Sequence, residues 1–462
     1  MVRRKDPERA GNGPIARRIG AVTATGVVIA NMVGAGVFTT SGILAGRLPG
    51  SGWVLLAWVF GGLIALSGAL AYAELATRMP EEGGEVVYLR RLFHPALGFL
   101  TGWTSLIAGF SVPVAASAIG AASYLSSGIG PMLGGAAPSD ATIRGIALLL
   151  IALFTVLHST GVRPGASVQN TLTAMKILLV LVLAGAGLVL AGGAGRGGEP
   201  IAFPREFPDG GNLAIGTAMM LVGFAYSGWN ASAYIAGEVR RPRRTLPLSL
   251  VAGTCIVIVL YLLINLFVFR AVPFDELRGT ITPVESAAAR VFGPWMGRGL
   301  GTLVGFGLLS SLSAFLMIGP RVYFAMARAG LFFRFASRVH PRFGVPSRSV
   351  VLQGCLAAIM VMVGSFEQLL VYLGFALGVF PWLAVAGIFV ARRRGIGEGT
   401  AVRTPGHPVT TLFYLTASLA LLFAAWINRP VESTAAMISV AAGFPLYLLW
   451  RAARRRGENG RS

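Results

Sequence analysis

Apolar runs of about 20 residues recur along this chain, and they constrain its fold more than any other feature. A helix of that length crosses the hydrocarbon core of a bilayer, whereas shorter apolar runs are typical of buried core helices. Only 12% of the 462 residues are charged and 55% are hydrophobic. An ordinary soluble domain carries about 25% charged residues. The sequence therefore predicts an all-α integral membrane protein.

The apolar runs predict twelve transmembrane helices joined by short connections, none long enough to form a separate domain. We place the spans at residues 20–46, 53–77, 96–125, 141–158, 166–192, 211–237, 245–271, 294–325, 347–365, 367–390, 409–427 and 431–450. Residues 1–19 are polar and basic and lack the short apolar core of a signal peptide, so we expect a retained N-terminal tail. Residues 451–462 form the C-terminal tail.

The net charge of +21 is distributed in a way that predicts topology. Most arginines and lysines fall in the N-terminal tail and in every second connection after it, which places both termini in the cytoplasm of a multi-pass protein of the plasma or inner membrane. No soluble domain exists to bind nucleic acid. We expect the segments 79–91 and 239–247 to form a cytoplasmic gate and to contact anionic lipids, although they serve equally well as topology determinants.

Two of the predicted spans are interrupted by small and polar residues. The first contains "NMVGAGVFTT" (31–40) and the sixth contains "LVGFAYSGWNA" (221–231). Glycine costs about 1 kcal/mol relative to alanine inside a helix, and a backbone group freed in hydrocarbon must find another partner. Interrupted helices at matching places in two five-span halves are typical of transporters with inverted repeats. Alternatively, these glycines only allow close helix packing.

Four stretches in the same order resemble the amino acid–polyamine–organocation (APC) permeases between about residues 20 and 394. They are "NMVGAGVF" (31–38), the segment 61–103, "FAYSGWNASAYIAGEVRRPRRTLP" (224–247) and the segment 319–346. The resemblance implies a leucine-transporter-like fold with two inverted five-helix repeats, residues 20–192 and 211–390, broken helices 1 and 6, and two additional helices in 409–450. The chain departs from the family at Ala329, where an aspartate is common, and at Gly237, where a second acid is common.

The broken helices predict the chemistry of a ligand. A break exposes free N–H groups with partial positive charge and free carbonyls with partial negative charge, and an α-amino acid presents a carboxylate and an ammonium to both. We therefore place the carboxylate on the amides around residues 34–36, as the resemblance also implies, and the ammonium on carbonyls of residue 32 and residues 224–227. The candidate substrate-binding residues are Asn31, Met32, Gly34, Ala35, Gly36, Phe224, Ala225, Tyr226, Ser227, Trp229 and Asn230.

The side-chain pocket is expected at Phe224 and Trp229 together with small residues of the third span, Ser105 and Ala108. Alternatively, Asn31 and Asn230 only cap freed backbone groups, and Trp229 is a packing aromatic. We identified no acid at the depth of the breaks, which favours a neutral, zwitterionic substrate over a cationic one.

Lys176 is one of only two lysines and lies inside the fifth predicted span. We predict that its ammonium contacts carbonyls of the first span and the hydroxyl of Ser310 or Ser311. Sodium-coupled transporters of this architecture bind a sodium ion in the corresponding place, so the resemblance implies sodium-independent transport with Lys176 as a coupling or gating residue. A buried lysine can load and release a proton during a transport cycle. The alternative is a lysine that extends to the membrane interface.

The function that these features favour is secondary active transport of neutral amino acids, by proton symport or by exchange. Alternatives are a polyamine or cationic amino acid antiporter and a non-transporting amino acid sensor. The four histidines lie near span ends or in loops and show no metal-ligand spacing, so we expect no enzyme, no metal and no cofactor. Both cysteines lie in apolar runs, so we expect no disulfide-linked heavy chain.

Overall fold

A computed structural model describes residues 16–129, 139–193, 200–207, 212–280, 282–363, 366–428 and 430–459. Within these ranges the regular structure is helical apart from a single bridge between Ile19 and Val239. Nine segments of the described chain are long and apolar enough to cross a membrane. They are Ala21–Ala45, Ser51–Arg78, Pro95–Ser126, Asp140–Ser159, Pro164–Leu190, Pro242–Ala271, Gly299–Arg328, Val409–Asn428 and Ser433–Ala452.

The first predicted span consists of two helices. Helix α1 (Ala21–Met32) ends before Gly34, and α2 (Ala35–Ala45) begins after it. Gly34 adopts an extended conformation and, as the N-cap residue of α2, has no side chain that could accept a hydrogen bond. The N–H groups of the first turn of α2 have no partner within the helix, and their N-cap residue supplies none.

The remaining long helices of the first half have bounds close to the predicted spans, whereas α4 (Glu85–Leu92) lies in the connection after the second span. In chain order the elements are α3 (Ser51–Arg78), α4, α5 (Pro95–Thr104), a π-helical segment (Ser105–Ser111), α6 (Val112–Ile129), α7 (Asp140–Ser159) and α8 (Val162–Gly193). Residues 194–199, in the connection between the fifth and sixth predicted spans, lie outside the described residues.

In the second half, the sixth predicted span is interrupted as the first one is. Helix α9 (Asn212–Ala225) ends at a turn, and the short α10 (Ala231–Tyr234) follows it. The later helices are α11 (Pro242–Ala271), α12 (Phe274–Leu277), α13 (Pro283–Phe292), α14 (Pro294–Arg328), α15 (Ser347–Val363), α16 (Phe366–Arg393), α17 (Val409–Asn428) and α18 (Pro430–Asn459). Helix α18 continues past the predicted end of the last span at residue 450. Residues 1–15 and 460–462 of the predicted tails lie outside the described residues.

The packing of the long helices places both breaks inside the bundle. Helix α3 packs along α11, and α6 packs along α14. Helix α1 lies among α8, α11 and α14, while α2 packs against α9. At the breaks themselves, the two interrupted segments therefore pack against other helices.

One end of the bundle contains the segments 79–91 and 239–247, predicted to be cytoplasmic, together with residues 329–346 and 394–408, and we call it the arginine-rich end. Arg321 of α14 makes a two-pronged ion pair with Glu238, at 2.6 and 3.1 Å, and both side chains are buried. Glu82 pairs with Arg328 at 3.4 Å. The backbone of Ile19 bonds on both sides of Val239, to Glu238 and Arg240. The backbone bonds of Ile19 hold the start of α1 against the segment after the second break, and the two ion pairs join α14 to this end of the bundle.

Candidate functional site

At the first break, Gly36 lies close to helix α9, whereas Gly34 faces open space. A side-chain carbon added at Gly34 would meet nothing within 4 Å, whereas one added at Gly36 would lie 3.2 Å from the Cβ of Ala225. Gly36 therefore lets α2 approach α9, and Gly34 faces empty space. Both glycines are partly exposed although Met32 and Val33 are buried. The backbone around Gly34 is therefore not fully covered by neighbouring side chains.

The second break lies directly against the first. Gly228 has a φ of 99°, which glycine adopts without strain. A Cβ there would lie 2.9 Å from the Cβ of Asn31, so glycine is needed both for conformation and for space. Ser227 and Phe224 are partly exposed, like the first break. The structure thus brings together residues that are almost 200 positions apart in sequence.

A tyrosine that we did not select from the sequence connects the two breaks. The hydroxyl of Tyr261 in α11 lies 2.5 Å from the carbonyl oxygen of Met32 and 2.8 Å from that of Ala225. Its ring also packs against Tyr226 and Trp58. The carbonyl of Met32, expected to receive a substrate ammonium, is therefore already engaged on one side by a protein donor.

The ammonium of Lys176 fills the carbonyl end of the first break. Its Nζ lies 2.5 Å from the carbonyl oxygen of Val33, 3.5 Å from that of Ala30 and 3.0 Å from Oγ of Ser311. Ser311 in turn lies 2.9 Å from the Ala30 oxygen and 3.2 Å from the Val33 oxygen. Only 2% of the Lys176 side chain is exposed, which excludes the interfacial alternative.

Ser310, the other predicted partner of Lys176, has different neighbours. Its hydroxyl lies 3.2 Å from Oγ1 of Thr173 and 3.3 Å from Nε2 of Gln169. Thr173 and Gln169 precede Lys176 by about one and two turns of α8. A buried polar row therefore runs along α8 from Lys176 towards the start of that helix.

The two asparagines do not cap freed backbone groups. Nδ2 of Asn31 donates to the carbonyl of Val27 within α1, and its buried Oδ1 has no partner in the described part of the chain. Asn230 is the residue before α10, but its side chain makes no cap and donates to Glu85 and Tyr234 instead. The Oδ1 of Asn31, next to Gly228, is an acceptor for which the described residues supply no donor.

The predicted pocket residues have mixed surroundings. Trp229 packs edge-on between Tyr72 of α3 and Tyr414 of α17, with ring centroids 4.9 and 5.5 Å away. Ser105 and Ala108 lie in the π-helical segment and are buried. A π-helical turn inside a transmembrane helix often occurs at functional sites. Trp229 therefore packs against α3 and α17, and its predicted role in the substrate pocket remains a prediction.

One acid does reach the second break, contrary to the sequence-based expectation. Glu85, at the start of α4, accepts a hydrogen bond of 2.7 Å from Asn230 and one of 2.6 Å from the hydroxyl of Tyr72. In the sequence it belongs to a charged connection, and nothing in that pattern shows that α4 folds back beneath the break.

The comparisons with known proteins agree with this geometry. The amino acid permease family matches residues 19–449. The serine/threonine exchanger SteT of Bacillus subtilis (strain 168) is 28% identical over 437 residues, which covers 93% of this chain and 96% of that protein. The b(0,+)-type amino acid transporter 1 of Homo sapiens is 26% identical over 94% of this chain and 88% of that protein. The large neutral amino acids transporter small subunit 2 of Mus musculus is also 26% identical, over 95% of this chain and 82% of that protein. The chain belongs to the amino acid permease family, within the APC superfamily.

Proposed function

We propose that the chain is a secondary active transporter of neutral, zwitterionic amino acids that works without sodium, by proton symport or by exchange. The observation that supports this most is the partly exposed backbone of Gly34, two residues before Gly36, whose close approach to Ala225 brings the first break against the end of α9. The free N–H groups at the start of α2 suit a carboxylate. The Oδ1 of Asn31 and the remaining carbonyl lone pairs suit an ammonium.

The surroundings of Lys176 support sodium independence. Two carbonyl oxygens and a serine hydroxyl are hard oxygen ligands of the kind that bind small metal cations. Here the ammonium of Lys176 supplies the positive charge to that set. We propose that Lys176 serves in coupling or gating, because its contacts join the carbonyl end of the first break to α14.

The names of the relatives favour a neutral substrate, since one exchanges serine and threonine and another transports large neutral amino acids. The twelve-span, five-plus-five arrangement with both termini in the cytoplasm is part of this proposal, as is contact of the basic segments with anionic lipids. Cys255 and Cys355 lie within α11 and α15, so we propose that no disulfide joins this chain to a partner subunit.

The test is uptake of a panel of radiolabelled amino acids into sodium-free proteoliposomes. Stimulation by an inward proton gradient indicates symport, and uptake only into vesicles preloaded with amino acid indicates exchange. Liposomes without protein are the control for leak. Binding of an amino acid without flux under any of these conditions contradicts the proposal and favours the sensor.

A further inference from the structure

Glu85 is buried at a point where the chain comes unusually close to the second break. It follows Gly83 and Gly84, whose φ values of 112° and 54° favour glycine. The N–H of Gly83 donates to the carbonyl of Tyr234, and a Cβ at Gly84 would lie 2.7 Å from the ring of Tyr234. The two glycines thus allow the carboxyl of Glu85 to be inserted beneath α10.

The carboxyl of Glu85 is bonded to neutral groups. Oε1 accepts from the hydroxyl of Tyr72 and from Nδ2 of Asn230, and the hydroxyl of Tyr234 also interacts with the carboxyl. Glu85 is 1% exposed. The carboxyl is therefore buried among hydroxyl and amide groups, none of which carries a charge.

The groups that face Glu85 are neutral. They are Tyr72 from α3, Tyr88 from α4 itself, Asn230 and Tyr234 at the second break, and Tyr414 from α17. Three arginines at this end of α14 and α16 already pair with other acids: Arg321 with Glu238, Arg328 with Glu82 and Arg392 with Glu74. His94 next to α4 accepts a backbone hydrogen bond at the start of α5. No cation in the described part of the chain lies within ion-pair distance of Glu85.

A buried carboxylate without a cation is unfavourable, and a proton removes the charge. Burial raises the pKa of Glu85 above its ordinary value, against the opposing effect of its hydrogen bonds. The neutral acid therefore persists to higher pH than that of an exposed glutamate.

The position of Glu85 connects its protonation to the substrate site. Asn230 directly follows Trp229 at the second break, and its amide is bonded to the carboxyl. Tyr72 contacts the same carboxyl and also packs against Trp229. A change of charge on Glu85 therefore acts on Asn230 and Tyr72, the two residues that connect it to Trp229 at the second break.

We propose that Glu85 is a proton-binding site of the transporter, between the second break and the arginine-rich end, and that transport requires its protonated form. This inference rests on the proposed transport function. It adds a proton site separate from Lys176, and it makes the nearby acid compatible with a neutral substrate.

The first test compares the pH profile of neutral amino acid flux in wild type and Glu85→Gln. At pH values above the pKa of the Glu85 carboxyl, wild-type flux should fall about tenfold per pH unit, because the protonated fraction falls by that factor. Glu85→Gln, which mimics the neutral acid, should keep the acid-side rate at alkaline pH. The control is Glu398→Gln, since Glu398 is 71% exposed, pairs with Arg403 and lies outside the two predicted gate segments. This variant should keep the wild-type pH profile.

The second test is infrared difference spectroscopy of the wild-type protein during a pH change. The band of a protonated carboxyl should be lost at alkaline pH and be absent from the corresponding spectrum of Glu85→Gln. If Glu85→Gln does not fold, Glu85→Asp should still show the band at a shifted pH. This measurement needs no flux, so it separates a failure of the Glu85 proposal from a failure of the transport proposal.

Three results would overturn the proposal. One is an unchanged alkaline decline of flux in Glu85→Gln. A second is a folded, substrate-binding Glu85→Gln that is inactive at every pH, which would make the ionised carboxylate the required form. A third is selective loss of arginine or lysine transport with an unchanged pH profile, which would assign the acid to a cationic substrate.

Discussion

Replacing Lys176 by methionine removes the ammonium but keeps an unbranched side chain of similar length. The lost contacts are those with the Val33 oxygen at 2.5 Å and the Ser311 hydroxyl at 3.0 Å, with a weaker one to the Ala30 oxygen. Hydrogen bonds to a charged group contribute about 1.5–3 kcal/mol each, so the two strong ones together contribute about 3–6 kcal/mol. Burying an ammonium costs several kcal/mol, so the net change in the free energy of unfolding should be small.

The effect of Lys176→Met should instead appear in transport. If about 3 kcal/mol of these contacts is gained or lost between conformations of the cycle, the rate changes by about 100-fold. The substrate is expected at the amides of residues 34–36 rather than at the carbonyls that Lys176 contacts, so the substrate Kd should change less than the flux. The measurements are flux into proteoliposomes across pH, with and without sodium, and equilibrium binding in detergent.

The matched control for Lys176→Met is Met175→Ala. Met175 is the preceding residue of α8, but 46% of its side chain is exposed, so this change should leave flux and binding close to wild type. A coupling or gating role for Lys176 is refuted if Lys176→Met transports at the wild-type rate with unchanged pH dependence, sidedness and sodium independence.

Three further predictions follow from single contacts. Gly34→Ala should fold normally, because the new Cβ meets nothing within 4 Å, yet it should weaken amino acid binding by more than tenfold. Its control is Gly145→Ala, where the new Cβ also meets nothing within 4 Å and binding should not change. Unchanged binding in both variants would place the substrate carboxylate elsewhere. Tyr261→Phe should lower the free energy of unfolding by about 1–3 kcal/mol, since it leaves the buried carbonyls of Met32 and Ala225 with one donor fewer. Its control is Tyr226→Phe, which should lower the free energy of unfolding less in the same denaturation assay, because the buried hydroxyl of Tyr226 has no partner in the described chain. Equal losses in the two variants would contradict the role of the Tyr261 hydroxyl in joining the two breaks. Glu238→Gln should lower the free energy of unfolding by about 3–5 kcal/mol, because it leaves Arg321 buried without its counter-charge. Glu398→Gln, in an exposed ion pair 3.9 Å long, should have no measurable effect on thermal stability. Similar melting temperatures for both variants would contradict a stabilising role of the Arg321–Glu238 pair.

The positions of both helix breaks could be predicted from the sequence. Glycines and polar residues clustered within an apolar run weaken a helix, and the backbone groups that they free must be satisfied inside the bundle. The contact between Lys176 and Ser311 was also predicted, since a lysine in a transmembrane helix needs oxygen partners. The proposed substrate contacts at these breaks remain predictions.

Tyr261 and Glu85 were not selected, for two different physical reasons. A tyrosine in an apolar helix cannot be distinguished by pattern from a packing aromatic, and only the crossing of α11 beside both breaks gives its hydroxyl two carbonyl partners. Glu85 lies in a charged segment of the kind that is typical of a solvated loop. Its burial depends on the Gly83–Gly84 turn and on the docking of α4, which are tertiary features.

The central claim is that the two breaks together hold the carboxylate and the ammonium of a neutral amino acid. Its most direct test is competition against uptake of a labelled neutral amino acid, such as serine, into sodium-free proteoliposomes. The unlabelled competitors are serine, its amide, which lacks the carboxylate, and its N-acetyl derivative, which lacks the ammonium. We expect serine to compete and both derivatives to fail. Full competition by either derivative, or absence of uptake with every neutral amino acid, would contradict the claim.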